Sequence, residues 1–299
     1  MMRTERIKRI INAMISVVTV FSVLVTQVYL SQLPERDIYD KADGAVRIMS
    51  FNVLSERFGE NAMINRRGIV TQTIAEYYPD SFGVQEATVA WMQCFKNRLP
   101  EYDYVGRATD LIPLLGGYSA VFYLKDKYEV VDSGTFWLSQ TPDKPSKGWD
   151  AGSERVCTWA VLKNKTTGEQ YAHINTHLDN KGALARQNSV PMILAKVAEF
   201  DMPVVCTGDF NFRENSELYK TLTADELHDS KFLAPDTMSN TTYNGFNPPE
   251  SQTKIIIDFI LVTSGITPLV YRVVTEGIDG RTVSDHYPVY ADVLINAGA

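Results

Sequence analysis

The chain has 299 residues, 44% of them hydrophobic and 22% charged, which excludes a disordered or fibrous protein and leaves room for one large or two small domains. A formal charge of -7 and a pI near 5.2 argue against a protein that coats long nucleic acid through a basic face, because that binding rests on neutralising many phosphates. An anionic substrate would need a local positive site, which a bound metal supplies most simply.

Arg3, Arg6, Lys8 and Arg9 lead into Ile10–Leu30, an uncharged run long enough as a helix to span a bilayer core of ~30 Å. Cations before the run and Glu35, Asp37 and Asp40 after it place the N-terminus in the cytoplasm and the rest outside. Asn12, Ser16, Thr19, Ser22, Thr26 and Gln27 dilute the run, so a cleaved signal peptide, and with it a secreted protein, is the competing reading. Residues 1–30 therefore read as a signal-anchor or signal peptide meeting the membrane through residues 10–30. Residues 31–44, with Pro34, read as a linker, and residues 45–299 as one domain.

Short runs rich in β-branched and aromatic residues predict strands at Val46–Val53, Ser81–Val84, Tyr118–Tyr123, Tyr128–Leu138, Val156–Asn164, Glu169–Asn175, Pro203–Gly208, Ile255–Val262 and Pro288–Leu294. Apolar residues recurring at three and four positions predict helices at Arg66–Tyr77, Val89–Arg98, Ala183–Phe200 and Ser216–Thr223. Neighbouring strands joined by short polar turns, such as Lys125-Asp126-Lys127, imply mixed, largely antiparallel sheets covered by helices. Cys94, Cys157 and Cys206 lack zinc spacing and are expected to be buried free thiols.

Polar residues of one chemical kind gather where these strands end: Asn52, Gln85-Glu86, His177 with Asp179, Asp209 with Asn211, and Asp285-His286. Taken singly, each has a plainer explanation, since Asn and Asp commonly form turns and Glu86 could cap the helix that starts near Val89. Asp258 is harder to explain that way: in the middle of Ile-Ile-Ile-Asp-Phe-Ile-Leu-Val a buried acid needs a partner, and a histidine would serve. Hard oxygen donors of this kind suit Mg²⁺ or Mn²⁺.

The segments Ser50-Phe51-Asn52, Gln85-Glu86, Asn175-Thr176-His177-Leu178-Asp179, Gly208-Asp209-Phe210-Asn211, Ile257-Asp258-Phe259-Ile260 and Ser284-Asp285-His286, in this order, resemble the endonuclease/exonuclease/phosphatase superfamily. The stretch from Gly134 through Trp149 to Trp159 is similar to a bacterial branch of it, in which Glu commonly precedes the tyrosine matched by Tyr118. Here Gly117 stands there, removing one acidic or substrate-facing group. The resemblance implies an α/β fold, a DNase I-like four-layer sandwich of two packed sheets flanked by helices, with residues 45–299 as its catalytic domain. It implies a divalent-metal-dependent phosphoesterase in which water attacks directly. Asn52, Glu86 and Asp285 would hold Mg²⁺ or Mn²⁺. His177, Asp209, Asn211, Asp258 and His286 would be catalytic, and Tyr118, Arg155, His177 and Asn211 would contact substrate. Nucleic acid, a phospholipid head group and a sugar phosphate all remain open as substrates, and no protein partner is inferred. The alternative outside the enzymes is a non-catalytic binding module of the same fold, which would have no chemical need for all these groups at once.

Overall fold

The computed structural model describes residues 39–299 except 113, 115, 248–250 and 297–299. The anchor or signal sequence expected at residues 1–30 lies outside the described residues; among those described, no helix is long and apolar enough to cross a membrane.

Val46–Asn52 (β1) is buried along its whole length, as a strand covered on both faces must be. It pairs in parallel with Ser81–Gln85 (β2). Tyr102–Val105 (β3) and Val121–Leu124 (β4) continue the sheet on that side. A second sheet is built from Tyr128–Trp137 (β5), Val156–Asn164 (β6), Gln170–His177 (β7), Val204–Asp209 (β8), His228–Asp229 (β9) and Asp258–Val262 (β11). Asp236–Met238 (β10), Ile266–Val273 (β12) and Val289–Ile295 (β13) return to the first. The strand orders are β10-β12-β13-β1-β2-β4-β3 and β5-β6-β7-β8-β11-β9. Antiparallel pairs predominate, with β1–β2, β7–β8 and β10–β12 parallel, so the sheets are mixed as expected.

Met63–Tyr77 (α1) and Val89–Arg98 (α2) bury Ile69, Val70, Ile74, Trp91 and Phe95 in one core with Phe51, Phe82 and Phe122 of the first sheet. Ala183–Val197 (α3) and Glu217–Leu222 (α4) bury Val190, Ile193, Tyr219 and Leu222 against Ile174, Cys206 and Phe259 of the second. The two sheets meet through β1 against β8 and β2 against β7, which completes the four layers. Buried Arg47 donates to Asp292 and to the carbonyls of Tyr39 and Asp40, fixing the last part of the expected linker beside the start of β1. All three cysteines are free and buried, as expected.

Several expected boundaries move. The helix expected from Arg66 begins at Met63, and the one expected to reach Phe200 stops at Val197 although Pro191 sits inside it. Thr88, not Glu86, caps α2, its side chain accepting from the Trp91 N–H. The strand expected at Tyr118–Tyr123 starts only at Val121; Tyr118 instead makes isolated bridges to Ala87 and Ala108. Asp258 opens β11 rather than interrupting a strand, because Ile255 and Ile257 serve the preceding loop. Strands β3, β9, β10 and β12 were not expected from the sequence. The first three are short and lie at or near sheet edges, and Pro268 with its bulge breaks the alternation of β12.

Between the sheets lies a layer of buried hydrogen bonds. Ser81 Oγ bonds Tyr171 Oη and His173 Nδ1, and His173 Nε2 bonds Thr207 Oγ1. Thr207 and Gln85 both donate to Asn175 Oδ1, while Asn175 Nδ2 donates to the carbonyls of Val84 and Ala120. Gly83 permits this approach, since a Cβ there would overlap the side chains of Asn175 and Thr207. Burial pushes His173 down to about 3, so it is neutral in the folded protein at ordinary pH. Its folded value lies below the ordinary value of about 6.5, so the unfolded chain binds the extra proton between the two. Its contribution to stability is therefore complete above about pH 6.5 and is lost as pH falls toward 3, by at most about 1.4 kcal/mol per pH unit. Urea unfolding between pH 7 and pH 5 should show this loss, with a shallower slope in His173→Asn.

Candidate active site

Strand register assembles the edge. Asn52, the last residue of β1, lies opposite Gln85, the last of β2; His177, the last of β7, lies opposite Asp209, the last of β8; and Asp258, the first of β11, faces Asp209 from the other side. A slip of one residue in any of these ladders would turn the corresponding side chain to the other face. Past the strands, Glu86 and Asn211 adopt left-handed backbone angles, φ 60° and 52°. Asn tolerates that conformation, whereas for Glu86 it costs about 1–2 kcal/mol, a strain of the kind found at functional sites.

The first sheet reaches the second through Asn52, whose Nδ2 lies 3.0 Å from Asp209 Oδ2 and 3.3 Å from Glu86 Oε1. Glu86 Oε2 accepts from Ser55 N at 3.0 Å and Ser55 Oγ at 2.8 Å. Burial opposes ionisation of Glu86, while the hydrogen bonds from Ser55 and Asn52 favour the carboxylate and hold it below its ordinary value. Ser284 Oγ joins the Asn52 carbonyl to Asp285 Oδ1. Burial drives Asp285 upward, and the charge of Glu86 adds to the rise while His286 opposes it.

Asp209 Oδ2 is the common neighbour of two imidazoles, with His177 Nε2 at 3.3 Å and His286 Nε2 at 3.6 Å. His286 Nδ1 lies 2.9 Å from Asp258 Oδ2, and the Tyr243 ring meets the imidazole in a T-shaped contact with centroids 5.0 Å apart. Burial works against charge on His286, yet the carboxylates of Asp258 and Asp209 raise it to about 10. Burial pushes Asp209 upward as well. His177 goes the other way, held well below its ordinary value by burial and by Arg155, whose Nη1 lies 3.0 Å from His177 Nδ1. Asn211 donates its backbone N–H to Asp209 Oδ1 and its side-chain amide to the Leu178 carbonyl.

A cleft of about 380 Å³ opens onto this cluster; Glu86, His177, Arg155 and Tyr118 line it, together with Arg57, Asp110, Glu154 and Lys181. Gly117 leaves open space there, its nearest would-be neighbour being the Ala87 carbonyl at 4.0 Å. A larger groove of about 670 Å³ lies at the opposite end of β8, beside Met202, Pro203 and Gly265, and none of the expected residues line it. The structure thus brings Asn52, Glu86, Tyr118, Arg155, His177, Asp209, Asn211, Asp258, Asp285 and His286 to one edge.

Two groupings there are candidates for a cation. Asp209, Asp258 and His286 offer ligand atoms within 4.8 Å of one another. However, His286 is already bonded to Asp258 and charged between two carboxylates, an arrangement that needs no cation. Glu86 and Asp285 repel one another beside the Asn52 amide, and a hard ion would relieve that repulsion; this oxygen-rich set fits Mg²⁺ or Mn²⁺.

The sequence reasoning missed residues that hold the edge in place. Buried Arg66 donates to the carbonyls of Val53, Leu54, Asn61 and Val283, locking the loop after β1 to the segment before Ser284. Its position four residues before Val70 and eight before Ile74, on the buried stripe of α1, is the signal that could have found it. Asn244 and Gly245 donate to the Asp285 carbonyl, and Thr242 Oγ1 accepts from the Asp258 N–H; no pattern in the sequence marks them.

A two-sheet sandwich flanked by helices, with carboxylates and imidazoles gathered beside a cleft at one sheet edge, places the chain among the DNase I-like α/β folds. More narrowly, the chain belongs to the Endonuclease/Exonuclease/phosphatase family, which it matches over residues 49–286, and whose members are phosphoesterases. It is similar to the endonuclease/exonuclease/phosphatase of Bacteroides vulgatus, with 36% identity and a TM-score of 0.79, covering 84% of this chain and 99% of that one. The mannosyl-6-phosphatase of Bacteroides thetaiotaomicron shares 33% identity at a TM-score of 0.78, with 83% and 99% covered. Rattus norvegicus Nocturnin is 23% identical over 278 residues, which are 81% of this chain and 63% of that protein.

Replacing Arg66 by Met would strand several buried carbonyls without a donor. We expect Arg66→Met to lose roughly 2–4 kcal/mol of stability in urea unfolding.

Proposed function

We propose that the protein is a divalent-metal-dependent phosphoesterase that hydrolyses a small phosphate ester by direct attack of water, with the phosphomonoester of a polyhydroxylated compound as its preferred substrate. The observation that carries this reading is the Asp258–His286–Asp209 line: a charged imidazole held between two carboxylates, next to an oxygen-donor pair suited to a hard cation.

Asn52, Glu86 and Asp285 would hold Mg²⁺ or Mn²⁺, which would supply a positive charge to polarise the phosphoryl oxygen and offset charge on the leaving oxygen. Asp209, raised by burial, orients the attacking water and accepts its proton. His286, kept positive and aimed by Asp258, stabilises the charge that develops on the phosphate. His177 and Asn211 add hydrogen bonds to the phosphoryl group, and Tyr118 and Arg155 line the approach. Positioning and electrostatics then supply most of the acceleration, with no covalent intermediate.

The preference for a sugar-like phosphomonoester draws on three supports. The cleft is small, and its wall mixes donors with acceptors: Arg57, Lys181, Asp110 and Glu154. The acidic balance disfavours long nucleic acid. One of the similar structures is a mannosyl-6-phosphatase. With Mg²⁺ or Mn²⁺ present, sugar phosphates should be hydrolysed in preference to plasmid DNA, RNA and sphingomyelin, and EDTA should abolish turnover. Asp209→Ala and His286→Ala should each lower turnover by about a thousandfold or more while the circular dichroism spectrum stays native. Near-normal hydrolysis by either variant would remove the mechanism.

We place the catalytic unit outside the cytoplasm, tethered through residues 10–30, on the charge asymmetry around that apolar run. The full-length chain should then pellet with membranes and keep its unprocessed mass; a soluble, shortened product would favour secretion after signal cleavage.

A further inference from the structure

We propose that Arg155 is a positioning residue that locks His177 as the neutral imidazole protonated on Nε2, making His177 a permanent hydrogen-bond donor toward Asp209 and the phosphoryl group. The inference rests on reading this edge as a phosphoesterase site.

The tautomer follows from which partners can donate. Arg155 Nη1 lies 3.0 Å from His177 Nδ1, and a guanidinium has donors only, so Nδ1 must accept and carries no proton. The imidazole proton then sits on Nε2, which lies 3.3 Å from Asp209 Oδ2. The opposite tautomer would set two donors against each other at Nδ1 and turn a lone pair toward a carboxylate at Nε2. A doubly protonated ring is disfavoured for the same reason at Nδ1, and also by the charged His286 nearby.

Arg155 is itself held in place before it meets the histidine. Its Nε lies 3.2 Å from Asp179 Oδ2, and Asp179 is buried and accepts the backbone N–H groups of Gly152, Ser153, Lys181 and Gly182. Four fixed donors immobilise that carboxylate, and the planar guanidinium inherits its orientation. Asp179, Arg155 and His177 thus form a hydrogen-bonded chain in which acceptor and donor alternate, ending with His177 Nε2 facing Asp209 Oδ2 at 3.3 Å. The two histidines beside Asp209 have opposite orienters. Asp258 is an acceptor and fixes a proton on His286 Nδ1, whereas Arg155 is a donor and excludes one from His177 Nδ1.

The test uses the full-length chain labelled with ¹⁵N-histidine, whose four histidines are few enough to assign with His177→Gln as the key. Long-range ¹H–¹⁵N correlation should show His177 with an unprotonated Nδ1 and a protonated Nε2. In Arg155→Met the His177 pattern should become a mixture while that of His286 stays as it was. Turnover of a sugar phosphomonoester should fall about ten- to a hundredfold, with KM shifted by less than about threefold. Arg155→Lys, which keeps a donor, should fall between the two. A protonated Nδ1 in the unaltered protein, or an unchanged His177 pattern in Arg155→Met, overturns the proposal. So does a rise in KM at constant turnover, which would make Arg155 a direct substrate contact. Because the nitrogen pattern does not depend on turnover, a chain inactive on every ester tried would overturn the phosphoesterase reading and still decide the tautomer.

Discussion

A single carboxylate oxygen, Asp209 Oδ2, receives the amide of Asn52 from the first sheet and faces the imidazoles of His177 and His286. A buried carboxylate is tolerable only when it is compensated in this way, and the compensation comes from β1, from β7 and from the loop before β13. The contact therefore joins the two sheets at the edge where the cleft opens. It also explains why the sheets need a polar layer between them. His173, Asn175, Thr207 and Gln85 hold the strands at the spacing that lets Asn52 reach across.

The two histidines beside that oxygen are in opposite states. His286 is driven positive by Asp258 and Asp209, while His177 is kept neutral by burial and a guanidinium. Two imidazolium rings at one carboxylate would repel each other, so the site keeps one cation for charge stabilisation and one neutral donor. This separation of protonation states by environment is the usual route by which similar side chains take different roles.

The strand-end chemistry was legible in the sequence because β-strand periodicity is strong and the short motifs sit at strand ends in fixed order. Asn52, Glu86, His177, Asp209 and His286 all lie within one residue of a position that apolar alternation marks as a boundary, or inside such a motif. The role of Asp258 as the partner of a histidine was readable from its cost in an apolar run, although its place at the opening of β11 was not. What escaped was support drawn from distant segments. Arg66 acts on carbonyls more than two hundred positions apart in the chain, and Gly245 acts through its backbone N–H, which every residue but proline has. The missed strands are mostly edge strands, where exposure removes the alternation that makes a strand visible.

The cleft divides its labour in a way that bears on how relatives diverge. Its reacting groups stand on strand termini locked by ladder register, but much of its wall comes from connecting segments: Ser55 and Arg57 after β1, Thr109, Asp110 and Gly116 to Ser119 before β4, and Ser153 to Arg155 before β6. Such connections lengthen or shorten without disturbing a hydrogen-bonded ladder. The mouth of the cleft can thus be recut by insertion or deletion while the machinery behind it stays still, so one inherited reaction centre can serve leaving groups of very different size.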